Sequence, residues 1–179
     1  MKKVFLVLFS VSLFSLASFA QKGNNAIGVA AEVGLPTGDV ADVSSIGLGG
    51  TVKGLYGIGT AGQLTFTTGY ISFSGKKEIK DLLEADKVTN SLIPILAGYR
   101  HNFNGFFAEP QIGYSISKSK IKGGMFESSE SDGAFTWAAG VGYKFNQFEV
   151  GARYQSMHKD GESSAFVGFR VGYNFSLSK

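Results

Sequence analysis

Residues Ala165 to Phe175 read AFVGFRVGYNF. Taken alternately, Ala165, Val167, Phe169, Val171, Tyr173 and Phe175 are apolar, whereas Gly168, Arg170, Gly172 and Asn174 between them are tiny or polar, with Phe166 the exception. Period-two alternation over this length is a β-strand with one apolar and one polar face. In a soluble sandwich the apolar face would be the core. Here the other face carries glycines and an arginine, as the inside of a barrel would, and the rest of the chain has to decide between the two.

The same alternation recurs along the chain. Strands are expected over about 26–35, 46–58, 63–73, 91–103, 106–117, 134–145, 148–156 and 165–175, each with apolar residues against glycines, hydroxyls and charges. The connections between them alternate long and short. An antiparallel meander with this rhythm places every long loop at one end and every tight turn at the other, which is the layout of an all-β, eight-stranded, up-and-down transmembrane β-barrel.

Composition agrees. The chain has 179 residues, 25 of them glycine, with no cysteine, 13% aromatic and 17% charged residues. These values suit a single strand-rich domain and argue against disorder or a helical membrane bundle. Met1 to Ala20, MKKVFLVLFSVSLFSLASFA, has two lysines, an apolar run and a close on Ser18, Phe19 and Ala20, the form of a cleaved signal peptide, leaving residues 21–179 as the exported domain. Without Lys2 and Lys3 the charges balance at fifteen basic against fourteen acidic, so nothing electrostatic points to nucleic acid. After Ala20 no stretch approaches the roughly 20 apolar residues of a membrane helix. If the chain crosses a bilayer, it crosses as strands.

Two features of the sequence bear on immersion in a membrane. Tyr56, Tyr99, Tyr143 and Tyr173 lie toward the C-terminal ends of strands running one way, and Tyr70, Tyr114 and Tyr154 toward those of strands running the other way, so they sort into two belts. Phe103, Phe106, Phe145, Phe148 and Phe175 join the short-turn belt and Trp137 the other. Asn104-Gly105 is a strong two-residue hairpin signal and places Arg100 across from Glu109; a turn at Asn146-Gln147 places Lys144 across from Glu149. The polar face then collects Glu32, Glu109 and Glu149 against Lys53, Arg100, Lys144, Arg153 and Arg170. Turning a strand over would present these groups to lipid, at about 2–4 kcal/mol for a mid-membrane Arg or Lys.

Several local expectations follow. Ile79, Leu82, Leu83 and Val88 space as one short amphipathic helix within a long loop, 74–90. Pro94 is awkward in a paired strand and is expected near a rim or a bulge. Gly123-Gly124 turns an extended hairpin that brings Lys120 opposite Glu127. The glycines Gly47, Gly49, Gly50, Gly54, Gly57 and Gly59 are not followed by a helical pattern, so they read as relief of crowding in a slim barrel rather than as a phosphate loop. His101 and His158 are the only histidines; Ser156 lies near His158, with Asp160 and Glu162 in the following loop, but a triad also needs an oriented acid and an oxyanion hole. No catalytic, cofactor or metal site is expected. Lys118, Lys120 and Lys122 either meet outer-leaflet phosphates or are simply solvated.

With its signal segment, eight alternating strands and a closing GYNF at Gly172 to Phe175, the sequence resembles the small eight-stranded outer-membrane barrels of the outer-membrane protein A and X type, the outer-membrane β-barrel domain family. The resemblance covers nearly all of residues 21–179. It departs from them in the residues Ser176 to Lys179 that follow the terminal aromatic, and in having no peptidoglycan-binding domain after the barrel. The resemblance implies a monomer in the cell outer membrane with both termini periplasmic. Its partners would be outer-membrane lipid and lipopolysaccharide, and the barrel assembly machinery during insertion. It points to a non-enzymatic protein with a structural or loop-mediated surface role; the alternative is a porin-like passive channel for small solutes, leaning toward anions.

Overall fold

The computed structural model describes residues 24–38, 40–77, 87–123 and 126–177. Eight strands close into one barrel: β1 (Ala26–Thr37), β2 (Ser44–Ile58), β3 (Gly62–Gly75), β4 (Lys87–Phe103), β5 (Phe106–Gly123), β6 (Phe126–Phe145), β7 (Phe148–Lys159) and β8 (Glu162–Ser176). Each strand pairs antiparallel with the next, and β8 returns to pair antiparallel with β1, so no sheet edge is left open. A single turn of helix, α1 (Val40–Val43), caps the connection between β1 and β2.

The strands outrun the ranges expected of them. β5 has 18 residues and β6 has 20, about twice what a tilted strand needs to cross a bilayer. Their outer parts continue as a ribbon with β4 beyond the span. Polarity explains why this was not legible: past Ile116 both faces of β5 are hydrophilic except at Ile121, and alternation of apolar with polar residues disappears while the backbone ladder continues. For the same reason the expected long connection between the last two strands is a tight turn at the tips of extended strands: Asp160-Gly161 takes positive φ at both residues (50° and 86°), as a two-residue hairpin requires.

Register corrects other expectations. Lys120 pairs with Ser129, and Glu127 with Lys122, so Lys120 and Glu127 are not opposite each other as a Gly123-Gly124 turn would have them. Val88 belongs to β4 and is buried, not part of a helix; Ile79, Leu82 and Leu83 lie outside the described residues. Pro94 sits in the interior of β4, facing inward and paired with Ser115 of β5, and not at a rim or a bulge. On its other side the β3–β4 ladder is interrupted between Thr68–Ile95 and Ile71–Leu92 without changing register. A second gap, in the β4–β5 ladder between Gly98–Gln111 and His101–Ala108, falls beside Pro110. Pro94 and Pro110 therefore each stand in a gap of two partner pairs, where a missing N–H leaves the ladder open.

Candidate functional site: a filled lumen and a two-sided wall

The inward face is built in two storeys. The lower one, toward the short turns, is ionic. Glu109 of β5 accepts from Lys53 Nζ of β2 at 2.7 and 2.8 Å, from Arg100 Nε and Nη2 of β4 at 3.0 and 2.8 Å, from Thr65 Oγ1 of β3 at 2.9 Å and from Gln111 Nε2 at 2.9 Å. Glu149 of β7 accepts from Arg100 Nη1 at 2.8 Å, from Arg170 Nη2 at 2.5 Å and from Asn174 Nδ2 at 2.9 Å, the last two on β8. Arg100, fully buried, thus bridges two carboxylates while its guanidinium lies 3.9 Å from the ring centroid of Phe107. Above this cluster Arg153 Nε donates to Glu32 Oε1 at 2.8 Å.

Seven of the eight charges assigned to the polar face by alternation, Glu32, Lys53, Arg100, Glu109, Glu149, Arg153 and Arg170, are buried in this lumen. Arg100 meets Glu109 as the Asn104-Gly105 turn requires. Lys144 differs. It is the backbone partner of Glu149, yet it stays half-buried at the short-turn rim, and Glu149 is taken by the arginines instead. The reason is geometric: Arg100 reaches Glu149 from across the lumen and Arg170 from the diagonal position on neighbouring β8, and together they saturate it. Likewise Glu32 is the register partner of Arg170 but bonds Arg153.

The upper storey is apolar and was not anticipated. Ile71, Phe73, Leu92 and Phe166 form a cluster inside the barrel, with Met157 packed against it. Phe73 and Phe166 meet edge to face with centroids 5.5 Å apart. Gly47 opposite makes room for this plug: a Cβ there would lie 2.4 Å from the Phe73 ring. The sequence did carry a signal, since Phe166 breaks the pattern of β8 and the alternation of β3 blurs after Tyr70, where Ile71 and Phe73 turn inward. A cavity of about 180 Å³ lies above the plug, lined by residues that include Val40, Phe73, Asn90, Leu92, Met157 and Phe166.

Outside, the wall is apolar throughout: Ile112 is 63% exposed, Val141 61% and Val171 61%. Tyr56, Tyr99 and Tyr143 point outward on the short-turn side and Tyr70, Tyr114, Tyr154 and Trp137 on the other, while Tyr173 is partly covered between Phe148 and Phe175. Ser156 Oγ lies 2.9 Å from His158 Nε2, which also accepts from Trp137 Nε1 at 3.1 Å. Among the described residues no carboxylate bonds His158, and Asp160 sits in the hairpin turn beside Lys159 instead. His101 contacts Tyr99 Oη at 3.0 Å through Nδ1, on the outer face.

A closed eight-stranded cylinder with a greasy exterior and a packed, charged interior is the small outer-membrane barrel class. A family model of the outer membrane protein beta-barrel domain matches residues 6–175, and the chain belongs to that family. Among solved structures, it is similar to Ail, the attachment invasion locus protein of Yersinia pestis, at 15% identity and a TM-score of 0.64, covering 87% of this chain and 100% of that one. It is also similar to the N-terminal β-barrel domain of Pseudomonas aeruginosa OprF at 16% identity and TM-score 0.62, covering 86% and 100%. Neisserial surface protein A matches at 15% identity and TM-score 0.57, covering 85% and 96%. These likenesses concern the fold. A search of curated protein sequences gives no significant match.

Proposed function

We propose that the chain is a non-enzymatic, non-conducting protein of the outer membrane whose extended strand tips and loops make contacts at the cell surface. On this reading residues 1–20 direct export and are removed, both termini lie in the periplasm, the barrel assembly machinery inserts the chain, and the barrel works as a monomer without a cofactor. The tyrosines and Trp137 then mark the two membrane interfaces.

One observation carries the choice of a surface role over a channel: the lumen is occupied across its width twice, by the Arg100 ion cluster and by the Phe73–Phe166 plug. A small hydrated ion would have to displace both. The test is conductance of the refolded protein in planar bilayers beside a cell-adhesion assay. The reading expects no steady single-channel steps, and loss of adhesion when residues 119–130 are shortened to a tight turn with the barrel still inserted. Steady steps that change in Arg100→Gln or Arg153→Gln would replace it with the channel.

A further inference from the structure

The chain's one tryptophan is hydrogen-bonded to one of its two histidines. Trp137 of β6 and Ser156 of β7 are register partners on the outer wall, and His158 follows on the same face of β7, opposite Phe135 of β6 and Ser163 of β8. The indole Nε1 donates to His158 Nε2 at 3.1 Å, and Ser156 Oγ, buried, lies 2.9 Å from the same nitrogen. The indole also packs against Tyr154, with ring centroids 5.5 Å apart.

Hydrogen-bond chemistry ranks these groups. An indole N–H can only donate, so His158 Nε2 has to be the bare nitrogen and the ring proton sits on Nδ1. A hydroxyl can donate or accept. Ser156 therefore shares the Nε2 lone pair as a donor while the imidazole is neutral, and accepts from Nε2–H once it is charged. Trp137 has no second arrangement, because against an imidazolium its N–H meets another N–H. His101 provides the contrast: its Nδ1 lies 3.0 Å from Tyr99 Oη, a hydroxyl that can reverse, so a proton gained there breaks no bond.

The surroundings leave His158 to this exchange. Its outward neighbours are Phe135 and Trp137 on β6, Ser163 and Ala165 on β8, and Tyr154 on its own strand, with the Tyr114 phenol of β5 beyond Phe135. Of the charges at the end of the hairpin, Lys159 is held by Asp132, lies 3.8 Å from Asp160 and is the register partner of Glu162. Among the described residues no acid bonds His158. The ring is exposed to solvent, and histidine is the side chain that ordinarily changes charge between about pH 5 and 8.

We propose that His158 is a proton-operated latch on Trp137. Neutral imidazole holds the indole against β7; acid releases it, and Ser156 takes over the imidazole. On the membrane reading Trp137 belongs to the loop-side aromatic belt, so acid loosens one interfacial anchor beside the Asp160-Gly161 hairpin and leaves the lumen as it was.

The test uses the full mature chain refolded in detergent, where the single tryptophan gives one indole N–H resonance and one indole fluorophore. From about pH 8 to about pH 5 the indole N–H resonance should move in step with the ring resonances of His158. Over the same range the ratio of latched to free indole, read as protection from collisional quenching by acrylamide, should fall about fivefold, the equivalent of one net hydrogen bond. His158→Gln should remove the pH dependence of both signals, Ser156→Ala should keep the release, and His101→Gln should behave as wild type. A wild-type indole with the same resonance and the same quenching at both ends of the range overturns the proposal. So does quenching that stays constant while the resonance moves, which would show a charge arriving beside an indole that does not leave, and so does a full response in His158→Gln. Failure of wild type to float with lipid vesicles would instead sink the membrane reading and leave the latch standing. The shift of folded barrels in unheated gel electrophoresis confirms that each variant is intact.

Discussion

The two storeys of the lumen fill the same tube by opposite means. Below, Arg100, Lys53 and Arg170 fill space together with Glu109 and Glu149, opposite charges that satisfy one another; above, Ile71, Phe73, Leu92 and Phe166 fill it as an ordinary hydrophobic core turned inside a barrel. The lower storey fixes which strands lie opposite, since each hydrogen bond demands a partner and a direction. The upper one demands only volume and shape. An enclosed lumen thus needs no uniform polarity, provided that every charge placed in it finds an answer.

The difference predicts unequal responses to substitution. The largest is expected for Arg100→Ala, which strands Glu109 and Glu149 with fewer donors in a place water reaches poorly. Loss of one partner from a buried ion cluster costs about 3–5 kcal/mol, to be read as a lowered urea midpoint in lipid vesicles. Phe166→Ala should cost about 3 kcal/mol by opening a cavity above Glu32 and Arg153, and another aromatic at that position should recover most of it, leucine somewhat less, because the Arg153 guanidinium also lies 5.8 Å from the Phe166 ring centroid. Conservative exchange does not rescue the lower storey in the same way: Arg100→Lys, lacking the planar fork that spans two carboxylates, should remain destabilised. The smallest effect belongs to Lys144→Gln. Although alternation and register put Lys144 against Glu149, it bonds no acid among the described residues, and its loss should shift the midpoint by less than about 0.5 kcal/mol. A large loss at Lys144 would break the comparison by showing that the ionic storey extends to the rim.

The same contrast explains how much of the molecule could be read from its sequence. Strand number, direction and face followed from alternation, because lipid on one side and an enclosed lumen on the other impose opposite chemistry on neighbouring residues. Arg100 against Glu109 followed from the Asn104-Gly105 turn, since a two-residue hairpin sets its register. Particular ion pairs did not. Glu32 could not be matched to Arg153, 121 residues away, by any local rule, because the pair reaches over the intervening strand β8, above Gly168, and is not made by either ladder. The apolar plug was hidden behind the assumption that inward means polar, and Phe166 looked like noise in the very strand that declared the fold. Strand ends were lost where both faces meet water: β6 runs back to Phe126 through serines and acids that carry no period-two contrast. Asp160-Gly161 was as good a hairpin signal as Asn104-Gly105, but the polar residues around it read as loop.

The most direct test of which side faces lipid uses the absence of cysteine, which makes every introduced thiol unique. Val141→Cys and Ile112→Cys, on the outer wall, and Gln111→Cys and Thr136→Cys, in the lumen, would be placed in vesicles and offered a membrane-soluble and a charged, aqueous maleimide. The structure predicts that the first two react with the membrane-soluble reagent alone and that the second two resist both until the barrel is unfolded. Rapid labelling of Val141→Cys or Ile112→Cys by the aqueous reagent, or of the lumen positions by the membrane-soluble one, would contradict the arrangement of greasy outside and charged inside.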